Sequence, residues 1–215
     1  MIVRNRAGND PVRLLHSLSC SIGSVICDVD GSYYQNLRLA CNLSISKNNR
    51  RIDGKMKLHT DGSFCSNPPE WIGIAMLKQV ALIGADSVCL RLRDWPELQM
   101  FSSNRLSRKP VEWSLPGSAE VRCVAPIFNF PDCLPAIRFA HHCLSCKLVT
   151  SDIELAEYAN AILNSVQQCK GSIRFSLMPG DLYFVDNRFA MHGRTAIKWQ
   201  SGTYREIVRT RGLYS

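Results

Sequence analysis

Short runs of alternating apolar and polar residues, each closed by a glycine or proline turn, most constrain what this chain can fold into. In NLRLACNLSIS, Leu37, Leu39, Cys41, Leu43 and Ile45 alternate with Arg38, Ala40, Asn42 and Ser44. That period of two belongs to a half-buried strand. The runs at 23–29, 71–77, 87–92, 121–128, 136–140, 172–177, 181–186 and 204–211 read as further strands. MPGD at 178–181 suits a type II turn with Pro179 and Gly180 in the middle. Two segments carry a helical signature instead. One begins at DWPELQMF, with Asp94 as cap and Glu97 completing a capping box. The other runs from about Ser151 to Cys169, boxed by Ser151 and Glu154, with Leu155, Tyr158, Ala159, Ile162, Leu163 and Val166 on one face. Gly171 is expected to end it in the left-handed conformation. Many short strands with few helices predict a mainly β sandwich or barrel.

At 215 residues the chain can bury one full core and is short for two, so a single domain over 1–215 is expected. No apolar stretch approaches the roughly 20 residues that span a bilayer, and LLHSLSCSIGSV is too polar for a good export signal. A cytosolic protein without membrane contact is the expectation. Ten cysteines in a chain of this size then read as reduced thiols packed as small apolar residues. The C-x-x-C of HHCLSC, Cys143 and Cys146, has no second pair to complete a four-ligand zinc site. A net charge of +8 fits nucleic acid or anionic substrates. The basic clusters at 48–57 and 104–109 carry no interleaved aromatics, however. They read as solvated loops, and no nucleic-acid partner is expected.

There are five histidines, and two lie in polar, turn-rich settings. In KLHTDGSF, His59 and Asp61 are two apart, so in an extended segment both point to one side, and Gly62 lets the chain turn away. His192, in DNRFAMHGR, can supply a third ligand. Two histidines and one carboxylate on one face of an octahedron form the facial triad of non-haem iron(II) oxygenases. A capped turn or a surface pair explains most isolated H-x-D triplets. Arg205, Arg209 and Arg211 share one face of YREIVRTR with Ile207. Facing inward, such a row calls for anionic ligands, which the guanidinium fork fits; facing outward, it reads as an edge strand kept soluble by charge. Asn187 and Arg194 flank His192 and read either as orienting partners for it or as turn builders. Trp71, Trp95 and Phe189 read as pocket walls or as core.

Four stretches carry a family resemblance: LHTDGSF at 58–64, GADSVCLRLRDWPEL at 84–98, MPGDLYFVDNRFAMHGRTAI at 178–197 and YREIVRTRGLYS at 204–215. Together they resemble the iron(II)- and 2-oxoglutarate-dependent dioxygenases of the taurine-dioxygenase and clavaminate-synthase group. Within it, the chain is most similar to the carbon-starvation-induced glutarate 2-hydroxylase family, from about residue 55 to the end. The resemblance implies a double-stranded β-helix, or jelly-roll, barrel. It implies His59, Asp61 and His192 as iron ligands and catalytic centre, with Arg205 and Ser87 binding the far carboxylate of 2-oxoglutarate. It further implies Arg209, and with it Arg211 and Arg138, as substrate-binding residues.

Iron(II), 2-oxoglutarate and dioxygen are the implied cofactor and cosubstrates, with succinate and carbon dioxide released. The implied reaction is hydroxylation of a small carboxylate such as glutarate, and a carboxylate at 61 favours it over halogenation. The alternatives are a free amino acid hydroxylase, with Glu70 or Asp132 receiving the amine, and a non-catalytic barrel binding a metal or an organic anion. Relatives tend to form homo-oligomers, and the sequence leaves the oligomeric state of this chain open. Set against the family, the chain reads as lacking much of an N-terminal region that would help cover the site.

Overall fold

The computed structural model describes residues 1–5, 8–40, 54–144, 152–198 and 200–215. Among these, ten strands build two antiparallel sheets. In chain order they are β1 (Ile2–Val3), β2 (Gly23–Val25), β3 (Gln35–Ala40), β4 (Met56–His59), β5 (Trp71–Val80), β6 (Ser87–Arg91), β7 (Ile173–Phe175), β8 (Leu182–Asp186), β9 (Ala190–Arg194) and β10 (Tyr204–Tyr214). The larger sheet runs β1-β8-β5-β10-β2, with β3 also paired to β10; the smaller runs β7-β6-β9-β4. Short two-stranded ladders complete the β structure, among them the hairpin of Val111–Ser114 with Val121–Ala125.

The sheets are joined by apolar side chains from both. Ile72 and Met76 of β5, Tyr183 and Val185 of β8 and Ile207 of β10 meet Cys89 of β6, Phe175 of β7 and Ala190 of β9. Two facing antiparallel sheets of this kind form a jelly roll, and the sheets stay open at their edges rather than closing into a barrel. Among the described residues, no helix is long and apolar enough to cross a membrane.

Each outer face has its own helical cover. Helix α1 (Pro11–Ile22) packs Leu14, Leu15, Leu18 and Ile22 on Trp71, Ala75, Leu182 and Phe184 of the larger sheet. Its start is well specified. Asp10 accepts from the amides of Val12 at 2.8 Å and Arg13 at 3.1 Å, and Pro11 occupies the first turn, where no amide is required. This helix is absent from the sequence reading. Its serines and Arg13 dilute the apolar stripe that would announce it. On the other side, α3 (Ile153–Gln168) buries the predicted face, Leu155 to Val166, with Trp95, Phe101, Trp113 and Phe139.

Several local expectations change. Asp94 does not cap α2 (Leu98–Ser102); it pairs with Arg91, and the helix begins after Glu97. Asp152 caps α3 by accepting from Leu155, while Ser151 and Cys146 lie outside the described residues, as does the predicted strand beyond Ala40. Gly171 is not left-handed; it is glycine because a Cβ there would meet the Asp94 carbonyl oxygen at 2.1 Å. The predicted strand 23–29 ends at Val25, and 121–128 is broken at Pro126. The type II turn at MPGD is present, with Gly180 at φ +95° and Asp181 donating to the Met178 carbonyl at 2.9 Å.

Candidate metal centre

His59 closes β4, and His192 lies directly opposite it on β9, the two being cross-strand partners. Antiparallel partners share a face, and their imidazoles stand with ring centres 4.5 Å apart. Gly193 permits this approach, since a Cβ there would meet the Met56 carbonyl oxygen at 2.5 Å. Asp61 sits in the turn that leaves β4. Gly62 follows at φ +70°, with the Pro69 ring 2.6 Å from where a Cβ would be, so no side chain fits. Asn187, 3% exposed, clamps the turn. Its Oδ1 accepts from the Asp61 amide at 2.8 Å, and its Nδ2 donates to the carbonyls of Asp61 at 3.0 Å and Pro69 at 2.7 Å. Thr60 is tied to Phe139 through its amide and its hydroxyl.

The three side chains converge. One ligand atom from each of His59, Asp61 and His192 lies within 4.8 Å of the others, and all three residues are buried. Asp61 Oδ1 is 3.3 Å from Nε2 of His59 and 3.6 Å from Nε2 of His192. His59 Nδ1 sits 2.8 Å from the Lys57 carbonyl, which can only accept. Nδ1 therefore carries the proton, and Nε2 presents its lone pair inward. Burial opposes ionisation of Asp61, but the Arg209 guanidinium and then the adjoining imidazoles of His192 and His59 outweigh it and hold the carboxyl well below its usual range. Burial, then the neighbouring His59, pushes His192 below its ordinary value of 6.5, so the ring is neutral at pH 7. His192 Nδ1 is buried with no partner among the described residues. Two imidazoles and an ionised carboxylate, convergent and shielded, fit a divalent first-row metal.

Arg205 is 5% exposed and makes no ion pair among the described residues. Its NH1 donates to the Ala85 carbonyl at 3.4 Å, and its Nε has no partner. Burial, followed by the charge of Arg194, lowers it to about 10. A buried cation so weakly compensated has charge and donors to spare for an anion. Ser87, buried at the start of β6, is two residues from Ala85 and is cross-strand partner to Arg194. Arg194 donates to the carbonyls of Thr195 and Gly54.

The alternative that placed the arginine row on an exposed edge is overturned, because β10 is paired on both sides. Arg209 NH1 donates to Asp61 Oδ2 at 2.7 Å, and its NH2 reaches Asp28 Oδ2 at 2.9 Å. Arg211 NH2 pairs with Asp28 Oδ1 at 2.6 Å. Arg138 lies beside the turn and donates to the carbonyls of Ser63, Cys65 and Ser66, fixing the chain just after Asp61.

Other open readings resolve away from the centre. Glu70 is engaged by Arg188 and the Tyr214 amide, and Asp132 is exposed, so neither reaches the centre. Trp71 packs under α1 and Trp95 against Phe101 and Phe128, both on outer faces of the sheets. Phe189 is half-buried, its ring centre 5.2 Å from the Arg188 guanidinium. Sequence reasoning missed Asp28, which reads there as an ordinary turn residue, and His142, edge-on to His59 at 5.6 Å between ring centres.

Comparison with known proteins gives a consistent result. The CsiD family model matches residues 4–214. Glutarate 2-hydroxylase of Klebsiella pneumoniae (strain 342) is 25% identical over 164 residues, which is 74% of this chain and 49% of that protein. The chain thus spans about half the length of that curated relative. Among solved structures, asparagine oxygenase in complex with Fe(II), 2S,3S-3-hydroxyasparagine and succinate superposes with a TM-score of 0.75 at 20% identity, covering 93% of this chain and 63% of that one. The non-heme iron oxygenase OrfP in complex with Fe gives 0.70 at 19% identity, covering 99% and 68%.

Proposed function

The chain belongs to the CsiD family, and from that premise we propose that it is an iron(II)- and 2-oxoglutarate-dependent dioxygenase that hydroxylates a small carboxylate of the glutarate class. The observation that carries this reading is the pairing of a buried His59–Asp61–His192 donor set with a buried, anion-seeking Arg205. When bound, iron(II) with 2-oxoglutarate and dioxygen supplies an oxidant able to break an unactivated C–H bond, the oxoacid leaving as succinate and carbon dioxide.

The chain's own residues aim and protect that chemistry. The Lys57 carbonyl fixes the tautomer of His59, and Asn187 fixes the backbone of Asp61. Arg209 engages Asp61 Oδ2, leaving Oδ1 toward the imidazoles. Arg205, with Ser87 nearby, holds the far carboxylate of the oxoacid. Arg209, Arg211 and Arg138 surround the turn after β4 and favour an anionic substrate. Asp61 keeps a carboxylate donor in place, which favours hydroxylation over halogenation. A second reading, hydroxylation of a free amino acid, is favoured by the superposition on asparagine oxygenase in complex with 2S,3S-3-hydroxyasparagine.

A screen of diacids and amino acids, read as succinate formed with iron(II), 2-oxoglutarate and oxygen, tests both readings. One class should raise succinate release well above the substrate-free rate, and His59→Ala should abolish it. No stimulation by any candidate, together with unchanged iron binding by His59→Ala, refutes the enzyme reading and leaves a barrel that binds a metal or an anion.

A further inference from the structure

We infer that Asp28 is a positioning residue for the metal centre, acting through Arg209 to present a single oxygen of Asp61 to the ion. The inference rests on the metal-dependent reading above and extends it to the turn after β2. Asp28 is 9% exposed, and its own backbone holds it: its amide donates to the Ser32 carbonyl at 2.8 Å, and its carbonyl accepts from Gly31 at 2.9 Å. The Val29 amide, 2.6 Å from Oδ1, fixes the carboxylate further. That carboxylate bridges two guanidinia, with Arg211 on Oδ1 and Arg209 on Oδ2. Gln35 Oε1 accepts from the same NH2 of Arg209.

A guanidinium is rigid and planar, so pinning NH2 fixes the direction of NH1. NH1 then falls 2.7 Å from Asp61 Oδ2. With Oδ2 so occupied, Oδ1 is the oxygen that faces the Nε2 atoms of His59 and His192. Charge supports the assignment, because Asp28 and Asp61 balance Arg209 and Arg211 in a largely buried cluster. Without Asp28, two cations would remain beside one carboxylate, an arrangement that burial penalises. Arg209 would be free to turn, and Asp61 free to offer both oxygens.

The test uses Co(II) as the probe, since its visible absorption reports ligand geometry without turnover. Asp28→Asn keeps the shape and removes the charge. It should bind Co(II) roughly tenfold to 100-fold more weakly, the usual effect of losing a group that orients a ligand, and with an altered visible band. Asp28→Glu should recover part of both. Wild-type affinity and spectrum in Asp28→Asn overturn the inference. Should Asp28→Asn fail to fold, Arg209→Lys, which keeps the charge and loses the fork, must show the altered band; an unaltered band there overturns the inference equally. Absence of Co(II) binding by the unmodified protein would instead refute the metal-dependent function itself.

Discussion

Arg205 offers the sharpest test of how the site is built, because its fitness for an anion should come at the expense of the ligand-free fold. The guanidinium is 5% exposed, reaches one carbonyl at 3.4 Å among the described residues and leaves its Nε unpaired. Its depression from 12.5 to about 10 corresponds to about 3 kcal/mol of disfavoured charge at about 1.36 kcal/mol per unit. Arg205→Met keeps the apolar stem and removes the charge. Allowing for the lost hydrogen bond and imperfect packing, the ligand-free variant should be about 1–3 kcal/mol more stable than the parent. For a chain of this size, a gain of about 2 kcal/mol raises the melting temperature by roughly 4–8 °C. The parent, by contrast, should gain about 2.7 kcal/mol from 2-oxoglutarate at 100 times its dissociation constant, and the variant nothing. The assay is thermal unfolding of both proteins in the presence of a redox-inert divalent metal, with and without the oxoacid. If Arg205→Met melts below the parent in the absence of ligand, or still rises with oxoacid, the account of Arg205 as an uncompensated anion seat is wrong.

Removing the clamp on the turn, Asn187→Ala, strands the Asp61 amide and two buried carbonyls; a loss of about 2–4 kcal/mol in urea unfolding is expected, together with weaker metal binding. Gly62→Ala should cost clearly more than Gly117→Ala in thermal melts: both are left-handed, but only at 62 does the new Cβ meet a neighbour, the Pro69 ring, whereas 117 opens on space. Acid should destabilise the metal-free protein once the pH falls below about 6.5. The unfolded chain then protonates His192 before the folded one does, so stability drops as pH falls through the window between the two values. The depressed Asp61 adds its own loss only at lower pH, and melting curves at pH 7.5 and 5.5 that coincide would contradict this.

The convergence of His59, Asp61 and His192 was more legible than the individual strands and helices around it. H-x-D followed by glycine is a local pattern, and alternation alone placed Arg205, Arg209 and Arg211 on one face. The strand bearing His192 was harder to see. AMHGR is buried at all five positions, so it shows no alternation, and MKLH is too short to establish a period. Helix α1 was missed because serines interrupt its stripe and only the tertiary contact with Trp71 and Phe184 shows which face matters. Asp28 was out of reach for a different reason. Its partner Arg209 is 181 positions away, and nothing local in CDVDGS distinguishes a turn carboxylate from one that bridges two guanidinia.

The pairing of His59 with His192 has one more consequence. Among the described residues β4 lies at the rim of its sheet and bonds to β9 alone. One donor therefore belongs to a rim strand, a second to the turn that leaves it, and the third to the interior neighbour. An ion held by all three is a rivet across that seam. Peeling β4 away would carry off two donors in one motion, so the slowest amide exchange along this rim should appear only in the metal-loaded protein.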